Sequence, residues 1–423
     1  MNKFKTSIRI GRTLPPAAAP IYIRDIISGL PGIFLGQKKI ERFNSELKNY
    51  FSVKHSLLLS SGKAALTLAL LALKNIAPGK NEVVMPAYVC YSVPSAVAKA
   101  GLNLVLCDMH PKTLDMDFKQ LVSKLNKKTL CVIVPHLFGV PAHVAGIIDI
   151  CRGKGIFVIE DAAQAIGVTD NGKILGTQGD IGFFSLGRGK TISAVEGGIL
   201  ITDNSILFEY LQKEYDYLES YTLIEKNIII IKAILLTFFT RPGFFWIPKL
   251  FPFLHIGATI FDTEFPVKKM SSLQACFMRG WQKKIECFNS HRKKNTQYYA
   301  RLISQTESLC LFNNQTQVCL RFPVLMKNRV ALEQIQSYSD KKGLGIMYTY
   351  PDSIDGVPDI NNIFNSQLKN KNSKKPAFPL AKQFAQQIIT LPVHPHVSQK
   401  DMEKIVHLIT VASGQGVAKK RKV

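Results

Sequence analysis

Between His55 and Asp203 the chain alternates short apolar runs with longer amphipathic stretches, and this rhythm restricts the fold more than any other feature. The short runs fall at residues 56–60, 82–85, 104–108, 130–135, 156–160, 182–185 and 198–202. The stretches at 63–74, 92–100, 117–124 and 144–152 carry apolar residues at helical spacing. Strands separated by helices pair in parallel, because only a long crossover returns the chain to the same end of the sheet. The expected fold class is α/β, with a mostly parallel sheet flanked by helices. In such sheets ligands sit beyond the carboxyl ends of the strands, where loops lead into helices.

From about Ile206 the rhythm stops, and residues 206–265 read as an apolar insert. Beyond it, residues 272–302 form one continuous helical pattern, 317–324 a strand and 401–411 a closing helix. These imply a smaller C-terminal α+β domain over 266–412, beside a large domain over 1–205. Residues 362–375 are polar and rich in Lys and Asn, the composition of an exposed loop. A basic tail closes the chain at 413–423.

Three loops in the first half carry chemistry. Ser60-Ser61-Gly62-Lys63-Ala64 lies at a strand-to-helix junction. Small residues there let backbone approach an anion, and the helix start offers unpaired N–H groups; a tight turn explains the same residues. The second is Glu160-Asp161-Ala162-Ala163-Gln164, two adjacent acids at a strand end. A carboxylate there can pair with a protonated ring nitrogen, whereas the bland reading is a helix N-cap by Asp161. The third runs from Phe184 through Ser185 and Lys190 to Glu196-Gly197-Gly198. A loop lysine is usually solvated, but one set among glycines between two apolar strands points into a cleft, where burial lowers its pKa.

In this order and spacing the loops resemble the DegT/StrS family of pyridoxal-phosphate-dependent sugar aminotransferases. Ser185 lies five residues before Lys190 and Glu196 six after it, as in that family. The stretches Met85-Pro86-Ala87-Tyr88, His136-Leu137-Phe138-Gly139-Val140-Pro141, Leu273-Gln274-Ala275, Phe378-Pro379-Leu380-Ala381 and Leu391-Pro392-Val393-His394-Pro395 resemble further family segments. The resemblance implies a fold type I aminotransferase with pyridoxal phosphate as cofactor. Lys190 would form the Schiff base and move protons, and Asp161 would keep the pyridine nitrogen protonated. Gln164 would touch the ring, while Ser185 and the backbone of Gly62 and Lys63 would bind the phosphate. Glu196-Gly197-Gly198 would shape the turn under the lysine. The implied partners are an amino donor, glutamate, a nucleotide-linked keto-sugar and a second subunit in a homodimer, serving surface polysaccharide or lipopolysaccharide synthesis.

Four positions depart from the family. Lys63 stands where threonine is usual, as a point charge on the phosphate or a solvated group. The ring-stacking aromatic falls near Cys90, leaving Tyr88 or Tyr91 to substitute. Leu186 replaces a histidine. Val267-Lys268-Lys269-Met270 replaces a segment that carries a phosphate contact from the partner subunit, for which Lys269 could substitute. Rival readings are a dehydratase, against which Lys190 argues because the family's dehydratases carry histidine there, and a membrane-associated binding protein on a degenerate scaffold.

The net charge of +24 favours anionic partners. No zinc-finger spacing or RNA-binding motif accompanies it, so nucleic acid ranks below lipid headgroups and phosphorylated metabolites. The eight cysteines show no C-x-x-C spacing and read as buried small hydrophobes; no metal is expected. No signal-peptide pattern opens the sequence, which places the protein in the cytoplasm. Residues 227–261 are strongly apolar but interrupted by Lys232, Arg241 and prolines, and a spanning helix needs about 20 apolar residues. They form either a helix buried at a dimer interface or under the second domain, or a patch that dips into an anionic membrane. In the second case the acceptor could be lipid-linked. The tail Lys419-Lys420-Arg421-Lys422 resembles a nuclear localisation signal and reads as a solvated basic end.

Overall fold

The computed structural model describes residues 9–33, 36–251, 257–304, 309–312, 318–326, 329–364 and 377–412. The rhythm of the first half becomes a seven-stranded sheet: β1 (His55–Leu59), β2 (Glu82–Pro86), β3 (Asn103–Cys107), β4 (Thr129–Pro135), β5 (Phe157–Asp161), β6 (Ile181–Ser185) and β7 (Gly198–Thr202). Their spatial order is β1-β7-β6-β5-β4-β2-β3. Neighbours from β6 through β3 pair in parallel. Only β7 is reversed, antiparallel to both β1 and β6. That reversal positions the site. Because β6 runs outward and β7 runs back, the loop between them stays at the carboxyl end of the sheet, where ligands bind α/β folds.

The first helix after the sheet begins, α1 (Gly62–Ile76), starts where Ser61 accepts a hydrogen bond from the Ala64 amide at 3.0 Å. Its alanines and leucines bury against the sheet. The helix Ser205–Asp216 packs back onto α1.

The single helix expected over 272–302 is two helices, Ser272–Phe277 and Trp281–Ile303. Gly280 between them takes φ 68°, a left-handed conformation that ends helical hydrogen bonding and that glycine adopts at low cost. Periodicity hid the break, since Leu273, Phe277, Trp281, Ile285 and Phe288 still face one core. The C-terminal sheet is antiparallel, with β8 (Leu309–Cys310), β9 (Arg321–Met326) and β10 (Ile388–Pro392) in that order. Its central strand starts later than expected, and Gln317 lies outside the described residues, as do 365–375 of the expected loop and the basic tail.

Within the apolar insert, α2 (Leu223–Phe239) opens with a capping box between Thr222 and Glu225. It buries Ile229, Ala233 and Thr237 but turns Ile224, Ile228, Ile231, Ile234, Leu235 and Phe238 outward. The outward residues span one broad helix face. Among the described residues, no helix is long and apolar enough to cross a membrane.

Candidate active site

Successive residues on β5 point to opposite sides of the sheet, and this separates the two acids. Glu160 turns into the protein, where its carboxylate meets the His136 imidazole at 2.8 Å. It also accepts the backbone amides of Gly176, Gln178 and Gly179. Burial alone would raise its pKa, but these donors outweigh it and hold it below the usual carboxylate range. Asp161 faces the site. No helix starts there, so the N-cap reading is set aside; instead Asp161 accepts the Ala163 amide at 3.0 Å. Burial raises its pKa, opposed by that amide and by the charge of Lys190.

Lys190 sits in the β6–β7 loop, which is fixed at several points. The Gln274 side chain donates to the Glu196 carbonyl at 2.8 Å. The buried Arg292 donates to the carbonyls of Thr191 and Ala18. The loop folds back on itself through Leu186 to Gly197 and Ala194 to Leu186, and Val195 is held at φ 75°, unusual for a β-branched residue. The Glu196 carboxylate accepts from Tyr221 and Lys232. The Glu196 side chain thus ties the turn to the insert. Burial of the Lys190 ammonium lowers its pKa; Cys90 and Asp161 work to raise it, and the nearby Arg321 charge lowers it further.

The start of α1 supplies an anion cradle. A Cβ on Gly62 would come within 2.9 Å of the Ser185 Cβ, so glycine is required for the helix to approach that strand end. The Gly62 and Lys63 amides belong to the first turn, which has no intrahelical acceptors, and the Ser185 hydroxyl stands beside them. The Lys63 side chain is engaged elsewhere: it pairs with Asp262 at 3.3 Å and lies 4.2 Å over the Phe265 ring. Lys269 donates to the Asp216 carbonyl at 3.1 Å and lies over the Tyr215 ring. Leu186 is buried in the core.

The opposite wall comes from the C-terminal half and was not foreseen. Gln164 donates its Nε2 to the Tyr350 hydroxyl at 2.8 Å while its Oε1 has no partner. Tyr350 stacks on Phe138 and meets Tyr88 edge-on, with ring centroids 5.2 Å apart. Tyr88 is buried, and its hydroxyl is unpartnered. Tyr91 is tied to Asp352 through its hydroxyl, and Cys90 lies 3.5 Å from the Thr259 hydroxyl. Thr259, at the end of the apolar insert, therefore covers this edge. Arg321, first in β9, completes the wall. No local motif marks Tyr350 or Arg321, because both reach the site only through packing of the second domain.

Of the residues singled out in the sequence, Lys190 and Asp161 sense each other's charge. Gly62 and Ser185 touch, and Gln164 and Tyr88 both meet Tyr350. The set fits pyridoxal phosphate: a buried carboxylate that forms no ion pair among the described residues, a half-buried lysine, an anion cradle, and the orphaned Gln164 Oε1.

A family model, the DegT/DnrJ/EryC1/StrS aminotransferase family, matches residues 30–218 and 266–410. The GDP-perosamine synthase of Vibrio cholerae is 34% identical over 172 residues, 41% of this chain and 46% of that protein. The chain thus spans about half the length of the curated relatives it matches in this way. Among solved structures, Helicobacter pylori PseC, an aminotransferase involved in the biosynthesis of pseudoaminic acid, superposes with a TM-score of 0.74 at 16% identity, covering 95% of this chain and 100% of that one. Escherichia coli GDP-4-keto-6-deoxy-D-mannose-3-dehydratase with bound hydrated PLP gives 0.73 at 17% identity, covering 95% and 100%. The fold is that of fold type I aminotransferases, as expected.

Proposed function

Because the chain belongs to the DegT/DnrJ/EryC1/StrS aminotransferase family, we propose that it is a pyridoxal-phosphate-dependent aminotransferase acting on a nucleotide-linked keto-sugar. Glutamate is the amino donor in this reading, and the product feeds surface polysaccharide or lipopolysaccharide synthesis. One observation carries it. The partly buried Lys190 and the buried Asp161 carboxylate, from different loops, sense each other's charge beside the unpartnered Gln164 Oε1. The similarity to a GDP-perosamine synthase supports the substrate class.

When bound, the cofactor supplies a carbonyl that bonds to amines and a protonated ring that draws electrons from the substrate. Asp161 would hold the proton on the ring nitrogen, since a cationic N–H beside it offsets the desolvation that raises its pKa. Lys190, whose burial favours the neutral amine, would move a proton from the donor's α-carbon to the cofactor's reactive carbon, and in the second half-reaction from that carbon to the sugar carbon that receives the amine. The Gly62 and Lys63 amides and the Ser185 hydroxyl would hold the phosphate, aided by the α1 dipole. The Gln164 amide would meet the ring's polar edge. Tyr88 supports this wall through Tyr350.

The test is the visible absorbance of the purified protein. A cofactor band that moves on adding glutamate, and that Lys190→Ala abolishes, is the expected result. A colourless protein that ignores added pyridoxal phosphate would favour a binding protein on a degenerate scaffold. Product analysis with a panel of keto-sugar nucleotides separates amination from dehydration.

The working unit in this reading is a cytoplasmic homodimer, measured by light scattering. The outward face of α2 supports a further reading, peripheral contact with an anionic membrane and an acceptor near or linked to lipid. Leu223, Phe244, Leu250 and Phe251 extend that face, and the helix Ile23–Gly29 packed against α2 adds exposed Ile23 and Ile27. A continuous apolar surface of this kind marks an interaction site. Arg241 is exposed just beyond the end of α2, which suits headgroups, as does the net charge of +24.

A further inference from the structure

The structure assigns Arg321 as the group that receives the carboxylate of the amino donor, an inference that rests on the aminotransferase reading above. Arg321 reaches the site from the start of β9, the central strand of the C-terminal sheet. Its Nε is buried without a hydrogen-bond partner. Its Nη1 points at the Met347 thioether, 3.2 Å away, a weak acceptor. The groups whose charges bear on it are Tyr350, Cys90 and Tyr88, none of them a carboxylate. Among the described residues no acid pairs with it.

Lys63 pairs with Asp262, and Lys269 donates to the Asp216 carbonyl. Arg292 also has an unpartnered Nε and Nη1, but its Nη2 donates to the carbonyls of Ala18 and Thr191, whereas among the described residues no oxygen accepts from Arg321. A guanidinium nitrogen buried without an acceptor is costly, and the planar fork of donors matches a carboxylate in two parallel hydrogen bonds. The orphaned Tyr88 hydroxyl lies beside the same Tyr350 wall and offers a further donor. Burial lowers the Arg321 pKa, as expected for a cation awaiting its anion.

Position selects the anion. In an amino acid the amine and its adjacent carboxylate share one carbon. When the amine is held where Lys190 works, the carboxylate falls a few bond lengths away, within the region where the Arg321 charge is felt at Lys190. The diphosphate of a sugar nucleotide is set back from the reacting carbon by the width of a sugar ring. The cofactor's own phosphate goes to the Gly62 cradle, which Ser185 rather than Arg321 borders.

The experiment uses the full-length protein loaded with pyridoxal phosphate. The change in cofactor absorbance is titrated with L-glutamate and with 4-aminobutyrate, which keeps the distal carboxylate but lacks the one next to the amine. Arg321→Met is expected to need at least 30-fold more glutamate than the parent, an order of magnitude set by losing a charge-assisted pair, while its response to 4-aminobutyrate stays unchanged. Arg321→Lys, which keeps the charge but loses the fork, falls between and decides the question if the Met variant fails to fold. Equal glutamate titrations for parent and variants overturn the assignment alone. A defect confined to the half-reaction with the keto-sugar nucleotide overturns it in favour of a diphosphate site. A parent that holds the cofactor yet responds to no amino acid overturns the aminotransferase reading and this inference together.

Discussion

Gln164 and Tyr350 meet across the site, the amide nitrogen donating to the phenol oxygen at 2.8 Å in a buried setting. One residue follows β5 in the large domain and the other precedes the C-terminal helices, so this bond sets the width of the cleft. Replacing Tyr350 by Phe leaves a buried amide N–H without a partner, at a cost of about 1–3 kcal/mol. We expect Tyr350→Phe to weaken pyridoxal phosphate binding by roughly 10-fold, read as the dissociation constant from absorbance titration.

Asp161 carries the second expectation. Asp161→Asn keeps the shape but removes the charge that would hold the ring proton. Turnover should fall by about 100-fold or more, the scale of a lost desolvated charge pair, with cofactor still bound. Full activity in this variant would remove Asp161 from the mechanism.

Lys190 predicts a pH profile. Its ammonium is inert, and burial lowers its pKa below the ordinary 10.5. The fraction present as free amine therefore rises with pH and passes its midpoint below that value. The rate at which cofactor-free protein captures pyridoxal phosphate, followed by absorbance, should show a midpoint below pH 10.5; a midpoint at or above it contradicts the lowered pKa.

Glu160 is a matter of stability. Its buried carboxylate holds His136 and the amides of residues 176–179. Glu160→Gln removes the charge from a buried pair, which costs about 3–5 kcal/mol, measurable by urea unfolding. Since the folded pKa lies below the unfolded one, near 4.3, Glu160 contributes stability that is full above the unfolded value. That contribution is lost as pH falls through the folded one. The Gln variant should lose this part of the acid dependence.

The apolar face of α2 yields a two-way test. Ile231→Glu with Leu235→Glu should abolish flotation with anionic liposomes at low salt while leaving cofactor absorbance unchanged. If the parent does not float and the double variant instead halves the particle mass, the face belongs to a second copy of the chain.

The sheet was legible in the sequence because a strand buried on both faces is a continuous apolar run, whatever surrounds it, and each strand end fell within about a residue of its expected place. The loop residues Gly62, Asp161, Ser185 and Lys190 were legible for a related reason: each stands at a strand end, and position along the chain fixes which end of a parallel sheet it occupies. What local patterning missed followed from conformation or distance. Gly280 broke a helix whose apolar spacing ran on unbroken, because both halves feed one core. Lys63 looked available for a phosphate until Asp262, from the far end of the insert, claimed it.

The sequence by itself determined the α/β class and the carboxyl-end location of the loops that carry Gly62, Asp161 and Lys190, since both depend on local periodicity; resemblance to a family, not periodicity, singled out the lysine. Tertiary structure alone decided which acid faces the cleft, which cations remain without an oxygen partner, and that Tyr350 and Arg321 form the far wall. Those properties arise when segments more than a hundred residues apart are buried together, and burial, unlike periodicity, is a property of the packed pair.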